Sequence, residues 1–173
     1  MTLRNRLAMR KRILNELSRA EKSIIIEHGY LTDMKIIRQL RRLGRAGIDI
    51  DVILPDRSDG VWHANMRSIH SILRPSLIHP QSESRIRVWL YPGMIHAKVI
   101  LIDRSVAIIG SANLTYGSFD FLHETNAIFR GKNGVVGLLA DQLEKDISLS
   151  RKVLLATIPK YSLILAWIQK WFI

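Results

Sequence analysis

The sequence predicts a single α/β domain in which helices are layered around a central β-sheet. Two observations carry that prediction. Apolar residues at helical spacing alternate along the chain with short, β-branched runs that suit buried strands. In addition, 173 residues with 47% hydrophobic content suffice for one well-buried core. The domain is assigned to residues 1–150, and residues 151–173 form an amphipathic hydrophobic tail behind it.

Leu3, Leu7, Leu14 and Leu17, with Ile13 beside them, predict an amphipathic helix over residues 2–20. Ser23 to Ile26 is short, apolar and β-branched, as a buried strand should be. After a polar and aromatic break from Glu27 to Tyr30, Thr32 or Asp33 is placed to cap a helix carrying Ile36, Ile37, Leu40 and Leu43. Gly44 and Gly47 weaken and end that helix. Ile48 to Leu54 is a strand closed by Pro55, and a helix covers Val61 to Leu73. Pro75 to Ser84 reads as loop. Strands follow over Arg85 to Leu90, Val99 to Ile102 and Val106 to Ile109, the last two joined by a turn at Asp103, Arg104 and Ser105. Asn126 to Phe129 adds a further strand, and Val135 to Ser148 a final helix before the tail. No internal repeat or low-complexity segment interrupts the series.

Charge narrows the partners. Lys and Arg total 26 against 15 acidic residues, a formal net charge of +11. Residues 1–45 hold 12 of those cations against 4 acids, so +8 of the excess lies there. Such a chain is drawn to polyanions, whether nucleic acid or an anionic membrane, although part of the excess is a solvated helix face. There is no cysteine, which excludes disulfides and thiolate metal sites. The basic start is followed by no long apolar run, so no secretory signal is read. No stretch reaches the roughly 18 apolar residues of a spanning helix, and Val153 to Ile173 is interrupted by Pro159, Lys160 and Lys170.

The chemistry is concentrated in His96-Ala97-Lys98, followed by Asp103 and by Gly110-Ser111-Ala112-Asn113. On a strand, His96 and Lys98 project to one face. Gly110 permits close backbone approach, and Ser111 and Asn113 offer short polar side chains beside it. An imidazole can attack phosphorus covalently while Lys98 and Asn113 neutralise the non-bridging oxygens, so no metal or other cofactor is expected. Six fixed identities at this spacing match by chance at a frequency of order 10⁻⁵ to 10⁻⁶ in this length.

The run resembles the signature of the phospholipase D superfamily, and the likeness extends from about Ser23 to Asn126. It is most similar to the C-terminal half of bacterial cardiolipin synthases. The matching features are Tyr30, the Ile53-Leu54-Pro55 strand end, His96-Ala97-Lys98, Gly110 to Leu114, Ser118-Phe119, and Glu124 with Asn126. Thr115 stands where those synthases carry Asp, and one motif is present where they carry two.

The resemblance implies a phospholipase D-like half domain, a central mixed β-sheet with helices on both faces, in which two motifs meet at one active site. His96 would be the nucleophile, and the second motif's histidine would protonate the leaving alcohol. Lys98 and Asn113 would bind phosphate with help from Ser111, and Glu124 would orient the imidazole. Asp103, grouped with the catalytic set by the motif, would be either a buried acceptor or a turn residue. His28 and His123 are the other histidines expected near the site, the remaining ones having surface or secondary roles.

In the tail, a helix from Tyr161 would gather Ile164, Trp167, Ile168 and Trp171 on one face and Ser162, Ala166, Gln169 and Lys170 on another. The apolar face suits either a membrane interface or packing against the domain or a second subunit. The leading expectation is a metal-independent phospholipase D or phosphatidyltransferase acting on phospholipids. It would sit peripherally on the cytoplasmic face of the cell membrane, as a homodimer or paired with a second catalytic half. A homodimeric single-motif endonuclease acting on nucleic acid, and an inactive half of a split enzyme, are the alternatives.

Overall fold

The computed structural model describes residues 4–57, 60–74, 85–132 and 134–169, with side chains from residue 8 onward. The expected loop over 75–84, and the side chains of Leu3, Leu7 and Trp171, lie outside the described residues. The chain opens with helix α1 (Arg4–Leu17), strand β1 (Ser23–His28), helix α2 (Met34–Arg45), strand β2 (Asp49–Pro55), helix α3 (Trp62–Leu73) and strand β3 (Ile86–Tyr91). Strands β4 (Lys98–Ile102) and β5 (Val106–Gly110), helix α4 (Tyr116–Asp120) and strand β6 (Asn126–Arg130) follow. Helix α5 (Val135–Leu149), strand β7 (Arg151–Val153), a single 3₁₀ turn and helix α6 (Leu163–Gln169) complete the described chain.

The seven strands form one mixed sheet in the order β6-β5-β4-β1-β2-β3-β7. The first three strands run parallel, as their helical crossovers require, and the remaining pairings are antiparallel. Helices cover both faces. Ile24, Ile26, Ile50, Val52 and Ile100 meet residues of α1, α2 and α3 on one side. Ile25, Ile53, Val99 and Leu101 meet Val136, Ala140 and Leu143 of α5 on the other. The strict alternation of these two sets along β1 and β2 follows from the two-residue period of a strand.

Local chemistry explains several element ends. Of the two candidate caps for α2, Asp33 is the one used: its carboxylate accepts from the N–H groups of Lys35 and Ile36 at 2.8 and 3.0 Å. Gly44 lies inside α2, and Gly47, with φ +96°, follows the helix end.

Two findings concern the tail. The expected boundary after residue 150 falls between α5 and β7, and β7 pairs with β3 as an edge strand of the same sheet. The helix expected from Tyr161 begins at Leu163, and the face it packs is the one expected to be polar. Ala166 is buried, Gln169 Oε1 accepts from the Ala64 N–H at 3.1 Å, and the Ser162 N–H donates to His63 Nδ1 at 3.1 Å. Leu163 and Ile164 are 63% and 73% exposed, with Trp167 also outward. A small alanine and a hydrogen-bonding glutamine permit closer approach to α3 than branched side chains would, so packing of the apolar face onto this domain is corrected.

Candidate active site

The site begins where β1 and β4 lie antiparallel, with His28 opposite Lys98. His96 is exposed in the extended segment just before β4, rather than on the strand itself. It is tied to Lys98 through the main chain, because Lys98 Nζ donates to the His96 carbonyl at 2.9 Å. Lys98 is 8% exposed. Burial pushes its ammonium below the usual lysine range, and the Glu124 carboxylate opposes that shift. His28, 2% exposed, is pushed down to about 3, first by burial and then by Lys98, and so is neutral beside that ammonium. Neither of its ring nitrogens has a hydrogen-bond partner among the described residues.

The β5–β6 connection supplies the second wall. Gly110 is paired with Asn126, and a Cβ there would collide with the Asn126 side chain and the Thr125 carbonyl, so only glycine fits. This close approach lets Ser111 N–H donate to the Thr125 carbonyl at 3.0 Å and the Thr125 N–H donate to Ser111 Oγ at 3.1 Å. Ser111 Oγ donates to Glu124, and Ser118 Oγ reaches Glu124 Oε1 at 3.4 Å. Glu124 is thus held by two hydroxyls and lies within electrostatic reach of Lys98. Among the described residues no hydrogen bond joins it to His96, the partner that the resemblance implies.

Asn113 enters from the other side. Leu114 N–H donates to the Tyr30 carbonyl at 3.2 Å, and the Thr32 and Asp33 N–H groups both donate to the Leu114 carbonyl at 2.9 Å. Gly29 sits beneath this junction. A Cβ on it would stand 2.6 Å from the Ile95 carbonyl and 3.8 Å from Asn113 Oδ1. The segment bearing His96 and the loop bearing Asn113 therefore both close on the end of β1. Asn113 Oδ1 is buried with no partner among the described residues, which leaves that oxygen uncommitted. An exposed imidazole, a desolvated ammonium, a neutral amide and a restrained carboxylate together can bind and attack a phosphodiester.

Asp103 stands apart from this group. It follows the far end of β4, about 16 Å from Lys98 at the usual strand rise. Its carboxylate accepts from the N–H groups of Glu21, Lys22 and Ser23 at 2.8–2.9 Å, fixing the entry into β1, while its own φ is +51°. The expected catalytic placement of Asp103 is corrected to an anchoring one, the buried-acceptor alternative being the nearer of the two. His123 precedes Glu124 and is exposed; His63 and His70 are on α3, and His79 lies outside the described residues.

One contributor has no signal in the sequence. Asn65 of α3 is fully buried, donates from Nδ2 to the Gly29 carbonyl at 2.8 Å and accepts on Oδ1 from the Leu31 N–H at 3.1 Å. It clamps the loop on which Asn113 rests. Thr115, the departure from the cardiolipin synthase pattern, caps α4 by accepting from the Ser118 N–H at 3.1 Å, a task an aspartate performs equally well.

Comparisons with known proteins bear on the family and the fold. A cardiolipin synthase of Clostridium perfringens is 29% identical over 150 residues, covering 86% of this chain and 30% of its own. One from Halalkalibacterium halodurans is 29% identical over 136 residues, covering 76% of this chain and 25% of its own. The chain thus spans less than a third of the curated relatives it matches. Among solved structures, the phospholipase D family member Nuc from Salmonella typhimurium superposes with a TM-score of 0.73 at 18% identity, over 84% of this chain and 90% of that one. Phosphatidylserine synthase from Haemophilus influenzae superposes at 0.71 and 9% identity, over 95% of this chain and 42% of that one. The family described as cardiolipin synthase, PLD-like domain, matches residues 13–148, and the chain belongs to it.

Proposed function

We propose that this chain is one catalytic half of a phospholipase D-type phosphatidyltransferase or phosphodiesterase acting on phospholipids. The observation that carries the reading is the convergence of His96, Lys98, Asn113 and Glu124 at one end of the sheet, in a chain whose matched relatives are cardiolipin synthases. A His96 ring nitrogen attacks phosphorus, and the P–N bond forms as the bond to the leaving alcohol oxygen breaks. Lys98 and Asn113 hold the non-bridging oxygens, and Glu124, steadied by Ser111 and Ser118, balances the Lys98 charge. Water or a lipid hydroxyl then displaces His96, completing hydrolysis or transfer. The leaving oxygen needs a proton from the side of phosphorus opposite His96, so a second histidine is required. A second copy of this chain, or a second catalytic half, supplies it. No metal takes part in this scheme.

The formal net charge of +11, which draws the chain to polyanions, supports the second reading, a phosphodiesterase acting on nucleic acid. Turnover of labelled phosphatidylglycerol and of single-stranded DNA, measured side by side with EDTA present, separates the two. The proposal expects lipid turnover undiminished by chelation. Cleavage of DNA alone would reject the substrate, and loss of activity restored by a divalent ion would reject the chemistry.

A further inference from the structure

The α2–α3–α6 layer carries a surface that the catalytic scheme does not use. These three helices contain no aspartate or glutamate, yet five arginines and one lysine. On α2, Arg38, Arg41 and Arg45 follow Met34 along one stripe at helical spacing. On α3, Arg67 and the capping Arg74 continue it, and Arg41 Nη2 donates to the Arg74 carbonyl at 3.1 Å. None of these side chains has an ion-pair partner among the described residues. Burial, followed by the like charges of Arg74 and Arg45, pushes the Arg41 guanidinium down from its ordinary value.

Beside this stripe lies the apolar ridge of α6. Leu163, Ile164, Leu165 and Ile168 are exposed because Ala166 and Gln169 take the contact with α3. A cleft of about 120 Å³ between Met34, Arg67 and Ala166 joins ridge and stripe. The helix that bears the ridge is tied to the α3 end that supports the site, since Ala64, which holds Gln169, is followed by Asn65, the clamp on Gly29.

We propose that the outer face of α6 and the arginine stripe of α2 and α3 dock this chain on an anionic lipid bilayer. Resting on the phospholipid reading for its occupant, this places α6 among the acyl boundary groups and the guanidiniums on lipid phosphates. Charge argues for this occupant over the others. A symmetric contact with a second copy would set arginine stripe against arginine stripe. A nucleic acid would leave the aliphatic ridge in water, because branched aliphatic side chains offer no stacking platform.

The test uses the full chain, a Leu163→Ser/Ile164→Ser/Ile168→Ser variant, and an Arg38→Gln/Arg67→Gln variant. All five side chains are exposed, so folding should survive, and melting curves check it. Flotation with vesicles of phosphatidylcholine, with and without phosphatidylglycerol, should show binding that needs the anionic lipid and weakens at least about tenfold in either variant. Turnover of dispersed short-chain phosphatidylglycerol should be unchanged in both. Wild-type flotation by the serine variant, or its conversion from dimer to monomer in light scattering, would overturn the proposal. So would loss of DNA binding in the arginine variant with vesicle binding intact. Variant-sensitive flotation in a protein that turns over no lipid would uphold the docking surface and reject the phospholipid reading instead.

Discussion

Replacing Glu27 by Gln should stabilise the protein at alkaline pH. Glu27 lies on the α5 side of β1, 9% exposed, and burial followed by the neighbouring Asp146 raises its pKa from 4.5 to about 7. Asp146 is itself buried on α5, where it accepts from Gln142 Nε2 at 3.0 and 3.1 Å. Since the folded pKa is above the unfolded one, the folded chain keeps a proton that the unfolded chain has lost. The favourable contribution is complete below pH 4.5 and is lost as the pH rises through about 7. The shift corresponds to about 3 kcal/mol of destabilisation above that window. A neutral glutamine can still donate to Asp146 and removes this term, raising the melting temperature at pH 8 by about 6–12 °C for a domain of this size. Urea unfolding followed by circular dichroism from pH 4.5 to 8 is the assay. Parallel stability–pH curves for the two proteins, or a less stable variant at pH 8, would refute the reasoning.

Two further outcomes test other parts of the account. Asp103→Ala removes three hydrogen bonds to a partly exposed carboxylate and should cost about 2–4 kcal/mol in urea unfolding, with turnover per folded molecule preserved; lost turnover at unchanged stability would return Asp103 to the active site. Light scattering should give about twice the 19.9 kDa chain mass, and mixing His96→Asn subunits with wild type should lower activity as wild-type homodimers are diluted; a fully active monomer would require another acid, with the exposed His123 tested first, since buried His28 is neutral.

Much of the sheet is legible from residue pattern because its strands are β-branched and bounded by Gly, Pro or polar turns. The end of β1 is not, since Glu27 and His28 are ionisable residues that tertiary packing buries. Helix α4, at five residues, is too short to show periodicity, and three-residue β7 exists only through its pairing with β3. The face of α6 is misread for a related reason: hydrophobic spacing identifies the apolar side, but Ala166 and Gln169 decide which side packs. At the site, Lys98 reaches the His96 carbonyl and Ser111 reaches Glu124, but the Glu124–His96 contact implied by the resemblance is absent among the described residues. The motif also includes Asp103, which the strand read over Val99 to Ile102 already sets at the far end from Lys98; what the sequence does not show is the anchoring of its carboxylate to the entry of β1. Asn65 illustrates the opposite limit, a clamp set by tertiary contact on a helix whose sequence pattern only reports amphipathicity.

The central claim is that His96 is the covalent nucleophile, and trapping its adduct tests that most directly. Labelled phosphatidylglycerol would be mixed with enzyme, quenched rapidly without acid, and digested for peptide mass spectrometry. The phosphatidyl mass is expected on the peptide containing His96, and both adduct and turnover are expected to be absent in His96→Asn. Turnover at the wild-type rate in His96→Asn would contradict the claim.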